Sequence, residues 1–259
     1  MQLEKKTTGI RTPSLSKCEC TNIIIDGPDV EILDKNTKCT IFRKFCNRLG
    51  QKQLNNLTKS TDLLIEAYPP QLINNKRGEY YGYFLGFWSR RANPLNYTSQ
   101  HRGIHPSDKR YTQDPEIYRK KVDEFMNRTK DIWKVCRDIF KEEFFTLYSI
   151  CEKITVPLEG AENRTWFPWH GVSLGLNHSA AIHCDHGNAE GLSTCVIVFG
   201  NWNKGGSIIL EDYQVEIKLH PGDIYFFEGR KILHSVTSFL GGKRNVVTLY
   251  IDRTLLKTS

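Results

Sequence analysis

Between residues 166 and 251 the chain is a succession of short β-rich runs with no helix-length segment among them. The runs fall at 171–177, 192–199, 207–210, 214–219, 223–227, 233–238 and 244–251. Turn signals divide them: Asn203-Lys204-Gly205-Gly206, Pro221-Gly222-Asp223 and Gly241-Gly242. Seven or eight such strands, with no helix available for a crossover, have to pair with one another and close into a double sheet. The expectation is a double-stranded β-helix, a jelly-roll or cupin-like barrel.

The residues before this region read differently, which makes the fold class α+β with N-terminal helices buttressing the barrel. The first 25 or so residues form a loose polar arm or an edge strand. Residues 38–67 read as helices with breaks, stopped by Pro69-Pro70. A Gly- and aromatic-rich stretch runs over 77–91, and a polar loop over 92–110. Asp114-Pro115 then opens the clearest helix, an N-cap followed by proline at the first helical position. Tyr118, Val122, Phe125, Ile132, Cys136, Ile139, Phe144, Leu147 and Cys151 recur in steps of mostly three and four, so one face packs on a core. That stretch is either one long helix or two in succession. The chain divides into a basic helical and loop extension (1–110), a buttressing long helix (111–155) and the jelly-roll core (156–259), all in one compact domain.

No apolar run approaches the roughly 20 residues of a membrane span, and the N-terminus lacks the apolar core of a signal peptide. The expectation is a soluble intracellular protein of the nucleus or cytoplasm. In that setting the eight cysteines are expected as free thiols. Cys18, Cys20, Cys39 and Cys46 could hold zinc as thiolates, but their spacing matches no common zinc module. Charge is uneven. Residues 1–155 hold 27 Lys/Arg and 19 Asp/Glu (+8), whereas 156–259 hold 9 and 10 (−1). The positive excess fits either a polyanionic partner such as nucleic acid or a solvated lysine-rich surface.

Ile182-His183-Cys184-Asp185 sets an imidazole and a carboxylate two residues apart. On an extended strand these point to the same face, as two ligands of one metal must. His234 stands inside a second β-rich run, 49 residues beyond Asp185. Two histidines and one carboxylate form the facial set of non-haem Fe(II) oxygenases, which leaves room for a bidentate oxoacid and O2. Arg244 follows the Gly241-Gly242 turn, and a hairpin of that length would return it beside the strand of His234. There its guanidinium can grip the distal carboxylate of 2-oxoglutarate. A zinc hydrolase would use the same three ligands but leaves Arg244 without a role. A Cys184/His183 nucleophilic pair fails because neighbouring strand residues face opposite ways. Of the other histidines, only His186 is taken as near the site.

These residues carry a resemblance. Residues 167–253 resemble the 2-oxoglutarate/Fe(II) dioxygenase superfamily and, more narrowly, its TET/JBP-like group, including the fungal TET/JBP-like members. The resemblance rests on Asn177, His183-Cys184-Asp185-His186-Gly187-Asn188, Gly205-Gly206, Pro221-Gly222-Asp223, His234 and Arg244. It implies Fe(II) on His183, Asp185 and His234, with 2-oxoglutarate as cosubstrate held by Arg244 and O2 as co-reactant. It also implies a substrate contact near Asn188, with Asn177 and His186 as further candidates. Three departures stand out: Cys184 where animal TET proteins carry Arg, Val246 where a Ser often follows the oxoacid arginine by two, and no long Cys-rich region.

A nucleobase substrate would be flipped into the pocket and stacked on an aromatic ring. Arg90, Arg91 and Arg102, interleaved with Tyr80, Tyr81, Tyr83, Trp88 and Tyr97, are the candidates for gripping its phosphates. Two other readings stay open: a dioxygenase acting on a protein side chain (prolyl-hydroxylase-like) or a small molecule, and a non-catalytic jelly-roll binding module.

Overall fold

The structure, a computed structural model, describes residues 2–3, 23–67, 69–75, 78–86, 115–154 and 164–258. Cys18, Cys20, Arg90, Arg91 and Arg102 lie outside these residues.

Eight strands build the barrel in two facing sheets. The major sheet contributes β7 (Gly171–Leu176), β9 (Thr194–Gly200), β13 (Ile224–Phe227) and β16 (Arg244–Tyr250). The minor sheet contributes β8 (Ala180–His183), β11 (Ile208–Leu210), β12 (Val215–Ile217) and β14 (His234–Val236). Between them Val196, Val198, Tyr225 and Phe227 meet Ile208, Leu210, Val215 and Ile217 in one buried cluster. The expected jelly roll is the observed fold, and all seven β-rich runs are strands.

The N-terminal segment adds more strand than its sequence suggested. Its strands are β1 (Gln2–Leu3), β2 (Ile23–Ile25), β3 (Val30–Asp34), β4 (Thr40–Phe45), β5 (Gln71–Asn75) and β6 (Gly78–Gly86). Five of them widen the major sheet to the order β1-β3-β4-β13-β9-β16-β7-β6-β5, while β2 is an edge of the minor sheet, β2-β12-β11-β14-β8. The expectation of helix over 38–67 therefore holds for α1 (Gln51–Ala67) and fails for Thr40–Phe45. Asp34 closes a turn there by accepting hydrogen bonds from the backbone N–H of Asn36 (3.0 Å) and Thr37 (2.8 Å), which sends β4 back along β3.

The buttress is three helices rather than the one or two expected: α2 (Pro115–Arg128), α3 (Lys130–Glu143) and α4 (Phe145–Glu152). At the first break the Thr129 hydroxyl donates to the carbonyl of Phe125 (2.6 Å). The apolar face continues across it, so α3 buries Ile132, Trp133, Cys136 and Phe140 against the major sheet. Phe140 stacks on Phe226 at 5.7 Å and on Trp169 at 5.3 Å. The strands explain why both patterns were readable. In β9 Cys195, Ile197 and Phe199 face the helices while Val196 and Val198 face the barrel interior. Among the described residues the cysteines are free thiols, as expected, and no helix is long and apolar enough to cross a membrane.

One buried ion pair fixes the barrel's closing turn. Lys44 and Asp223 are fully buried with Nζ 3.7 Å from Oδ2, and Lys44 also donates to the carbonyl of Lys218 (3.1 Å). Asp223 accepts from the backbone N–H of His220 (2.9 Å), which shapes Pro221-Gly222-Asp223. Removing one partner strands a buried charge. Lys44→Met is expected to lower unfolding stability by about 3 kcal/mol in a denaturant titration. Adding Asp223→Asn should recover part of that loss.

Candidate metal centre

The minor sheet sets the two imidazoles face to face. β14 pairs antiparallel with β8 so that His234 stands directly opposite His183, and their ring centroids are 4.2 Å apart. Asp185 lies two residues past His183, just beyond the end of β8 rather than on it. Its carboxylate still reaches the pair, with Oδ1 3.6 Å from Nε2 of His183. One ligand atom from each of His183, Asp185 and His234 lies within 4.8 Å of the others. Among the described residues no other group of three or more His, Cys, Asp or Glu converges in this way, and Cys39 and Cys46 join none.

Each imidazole is already oriented as a metal ligand. Nδ1 of His183 lies 2.7 Å from the carbonyl of Ala181, and Nδ1 of His234 lies 2.8 Å from the carbonyl of Ile232. A carbonyl only accepts, so each Nδ1 carries a proton, and in a neutral ring Nε2 is then the nitrogen that can ligate. The ring of Phe227 packs edge-on against His234 at 4.8 Å. Asp185 is fixed by a backbone bond from its N–H to the carbonyl of Gly229 (2.7 Å).

That contact requires glycine. A Cβ on residue 229 would sit 2.5 Å from Oδ2 of Asp185. Gly229→Ala is therefore expected to displace the carboxylate and weaken divalent-metal affinity by about 10–100-fold, measured by Co(II) titration. An unchanged affinity would show that the carboxylate is not held where this geometry puts it.

Arg244 reaches the same pocket by a route the sequence did not suggest. The expected hairpin beside the strand of His234 does not form. After β14 the chain makes β15 (Phe239–Leu240), which pairs with β10 (Lys204–Gly205) in a separate ribbon, and then crosses to the major sheet. Arg244 opens β16 there and approaches from the opposite wall of the barrel. It is fully buried, donating from Nε to the carbonyl of Gly206 (3.0 Å) and from Nη1 to that of His178 (2.8 Å). Nη2 is buried and has no hydrogen-bond partner among the described residues. Burial draws the guanidinium below its usual range, yet an arginine there keeps its charge. The chain at Gly206 has φ +73°, and a Cβ there would lie 2.7 Å from Cδ of Arg244.

The pocket has a volume of about 260 Å³. Its lining includes His183, Asp185, His234, Arg244, His178 and Tyr225, with Val196, Phe227, Val236 and Val246 as apolar walls. Burial pushes the Tyr225 phenol up, against the pull of the Arg244 charge, so it stays a neutral donor. Phe84, Ser173, Gly187, Asn188, Thr248, Tyr250 and Asp252 line it as well. Arg244, Val246, Thr248 and Tyr250 follow one another at every second position of β16, as one face of a strand does.

The other candidates fall in different places. Asn188 lines the pocket, but its Nδ2 donates to Thr194 Oγ1 (2.9 Å) and Asp185 Oδ2 (3.4 Å), so its amide braces the metal carboxylate. Asn177 is an exposed turn residue at φ +50°, outside the pocket lining. His186 is exposed, and it is its backbone carbonyl that the structure uses. His178, read as structural or surface, belongs to the lining and packs edge-on to Tyr80 at 4.3 Å. Tyr225 was missed as well, although the alternation of Ile224-Tyr225-Phe226-Phe227 carries that signal.

No protein-family model matches the chain, and no curated protein matches it. Among solved structures, NgTET1 in complex with 5mC DNA is similar over 94% of this chain and 83% of its own, at 15% identity and a TM-score of 0.54. A 2OG-Fe(II) oxygenase-family oxidoreductase from Burkholderia pseudomallei gives 10% identity and a TM-score of 0.47, over 82% and 85%. The viral collagen prolyl hydroxylase of Paramecium Bursaria Chlorella virus-1 gives 13% and 0.41, over 82% and 95%. The likeness to NgTET1 shows a shared fold, in agreement with the resemblance carried by residues 167–253.

Proposed function

We propose that the protein is an Fe(II)- and 2-oxoglutarate-dependent dioxygenase that oxidises the methyl group of a 5-methylpyrimidine base in nucleic acid. The observation that carries the dioxygenase reading is Arg244 Nη2, a buried donor without a partner among the described residues, in the pocket that also holds the His183, Asp185, His234 set. A zinc hydrolase would have no use for that guanidinium, whereas the distal carboxylate of an oxoacid satisfies it.

The donor set fits the metal: two neutral imidazoles and one carboxylate are the ligands of non-haem Fe(II). When bound, iron and 2-oxoglutarate supply with O2 the oxidising power that converts C–H to C–OH, as the oxoacid becomes succinate and CO2. The chain's own residues do the rest. Ala181 and Ile232 hold the imidazoles in the ligating tautomer. Arg244 and the neutral Tyr225 receive the oxoacid's tail. Val196, Phe227, Val236 and Val246 keep the pocket dry.

Two observations support a base as substrate. Phe84 and Tyr250 are among the residues that line the pocket, aromatic rings on which a planar base would stack, and the shared fold is that of a protein in complex with 5mC DNA. Arg90, Arg91 and Arg102 are the proposed phosphate grip.

The test is succinate release with panels of 5-methylcytosine DNA, methylated RNA and methyl- or proline-bearing peptides. Turnover on methylated nucleic acid, with binding that falls steeply as salt rises, is expected. Turnover on peptide alone overturns the substrate. No turnover on any panel, with metal and oxoacid bound, overturns the enzyme.

A further inference from the structure

Asp185 differs from the two histidines in how it is held. His183 and His234 stand on paired strands, so the ladder between β8 and β14 fixes them. Asp185 opens a turn, residues 185–189, that belongs to no strand. Three backbone bonds hold that turn to its surroundings: Asp185 N–H to the carbonyl of Gly229 (2.7 Å), Arg253 N–H to that of Gly187 (2.9 Å) and Ala189 N–H to that of Ile251 (2.7 Å). A fourth tie comes from a side chain. Nη1 of Arg230 donates to the carbonyl of His186 (2.5 Å) and to that of Asn188 (3.1 Å), the two carbonyls flanking Gly187. The same guanidinium has Nε 3.8 Å from Oε2 of Glu190, and the neighbouring Lys231 has Nζ 3.5 Å from Oε1 of that carboxylate.

We propose that Arg230 is a positioning residue for the metal site: its guanidinium clamps the turn 185–189 to the segment that leads into His234, and so sets where the Asp185 carboxylate meets the metal. The proposal rests on His183, Asp185 and His234 holding a divalent metal. Its physical basis is that hydrogen bonds from a charged donor are the stronger kind, and one guanidinium nitrogen makes two of them here to the carbonyls on either side of Gly187 in one short turn. The turn bears two parts of the site, Asp185 and the Asn188 amide that braces it. Arg230 itself does not line the pocket. Losing it leaves the histidine pair and the Arg244 grip in place while the carboxylate drifts.

Co(II) titration of the full chain, followed by ligand-field absorption, tests this on wild type, Arg230→Ala, Arg230→Lys and Asp185→Ala. Arg230→Ala is expected to weaken Co(II) binding by about 10–100-fold. Its absorption bands should move toward those of Asp185→Ala, a spectroscopic change that a general loss of stability would not produce. Lysine should recover only part of the effect, since an ammonium lacks the planar fork. If Arg230→Ala does not fold, as judged by circular dichroism, Arg230→Lys against wild type carries the same comparison. Wild-type affinity and wild-type bands in the folded Arg230 variants overturn the proposal alone. Wild-type protein that takes up no Co(II) overturns the metal reading beneath it as well.

Discussion

Replacing His234 with alanine removes 2-oxoglutarate turnover by at least about 1,000-fold, a loss of about 4 kcal/mol of transition-state stabilisation. The size follows from the geometry. The three ligand atoms lie within 4.8 Å of one another, and His234 supplies one of only two imidazoles. Among the described residues the only other histidine lining the pocket, besides His183, is His178, whose ring is engaged edge-on by Tyr80. The fold should survive, because β14 keeps its ladder to β11 and β8 through the backbone. Succinate release, with circular dichroism to confirm folding, checks both halves of this expectation. Residual turnover within ten-fold of wild type would mean that the chemistry is centred elsewhere.

Replacing Arg244 with glutamine should act on a different quantity. The KM for 2-oxoglutarate is expected to rise about 100-fold or more, matching about 3 kcal/mol for a lost charge-assisted grip. The shorter side chain keeps an amide nitrogen near the place of Nε, so the carbonyl of Gly206 can keep a donor while that of His178 loses its own. Specificity gives the sharper readout. Wild type should prefer 2-oxoglutarate strongly over 2-oxobutyrate, which lacks the distal carboxylate, and the variant should lose that preference. Metal affinity should not change, because Arg244 approaches from the major sheet while the ligands belong to the minor sheet and the turn after β8. A variant that still prefers the dicarboxylate would assign the tail to another residue.

The convergence of His183, Asp185 and His234 was legible because each is a rare residue type in or beside a short β-rich run. The way they come together was less so. A His-x-Asp pair reads as one strand face, yet Asp185 lies past the strand end and depends on Gly229 and Arg230 for its place. Ligand spacing says nothing of those tertiary partners. Arg244 does line the pocket that holds the three side chains, but not by the route expected. Sequence distance from His234 suggested a hairpin, and pairing of Phe239–Leu240 with Lys204–Gly205 diverts the chain to the opposite sheet instead. Thr40–Phe45 fell inside the segment 38–67 read as helices with breaks; Ile41 and Phe45 stand four apart, a spacing that a strand also produces. The breaks at Thr129 and Phe144 were hidden for the opposite reason. The apolar face runs on across both, so periodicity alone cannot place them.

The most direct test of the central claim is anaerobic addition of 2-oxoglutarate to protein loaded with Fe(II), watching for the visible charge-transfer band of an oxoacid chelated to iron. One equivalent of Fe(II) should bind, the band should appear only with both partners present, and it should be lost in His234→Ala. A band of wild-type strength in His234→Ala, or oxoacid binding equally tight with and without metal, would contradict the claim that these side chains build one iron site.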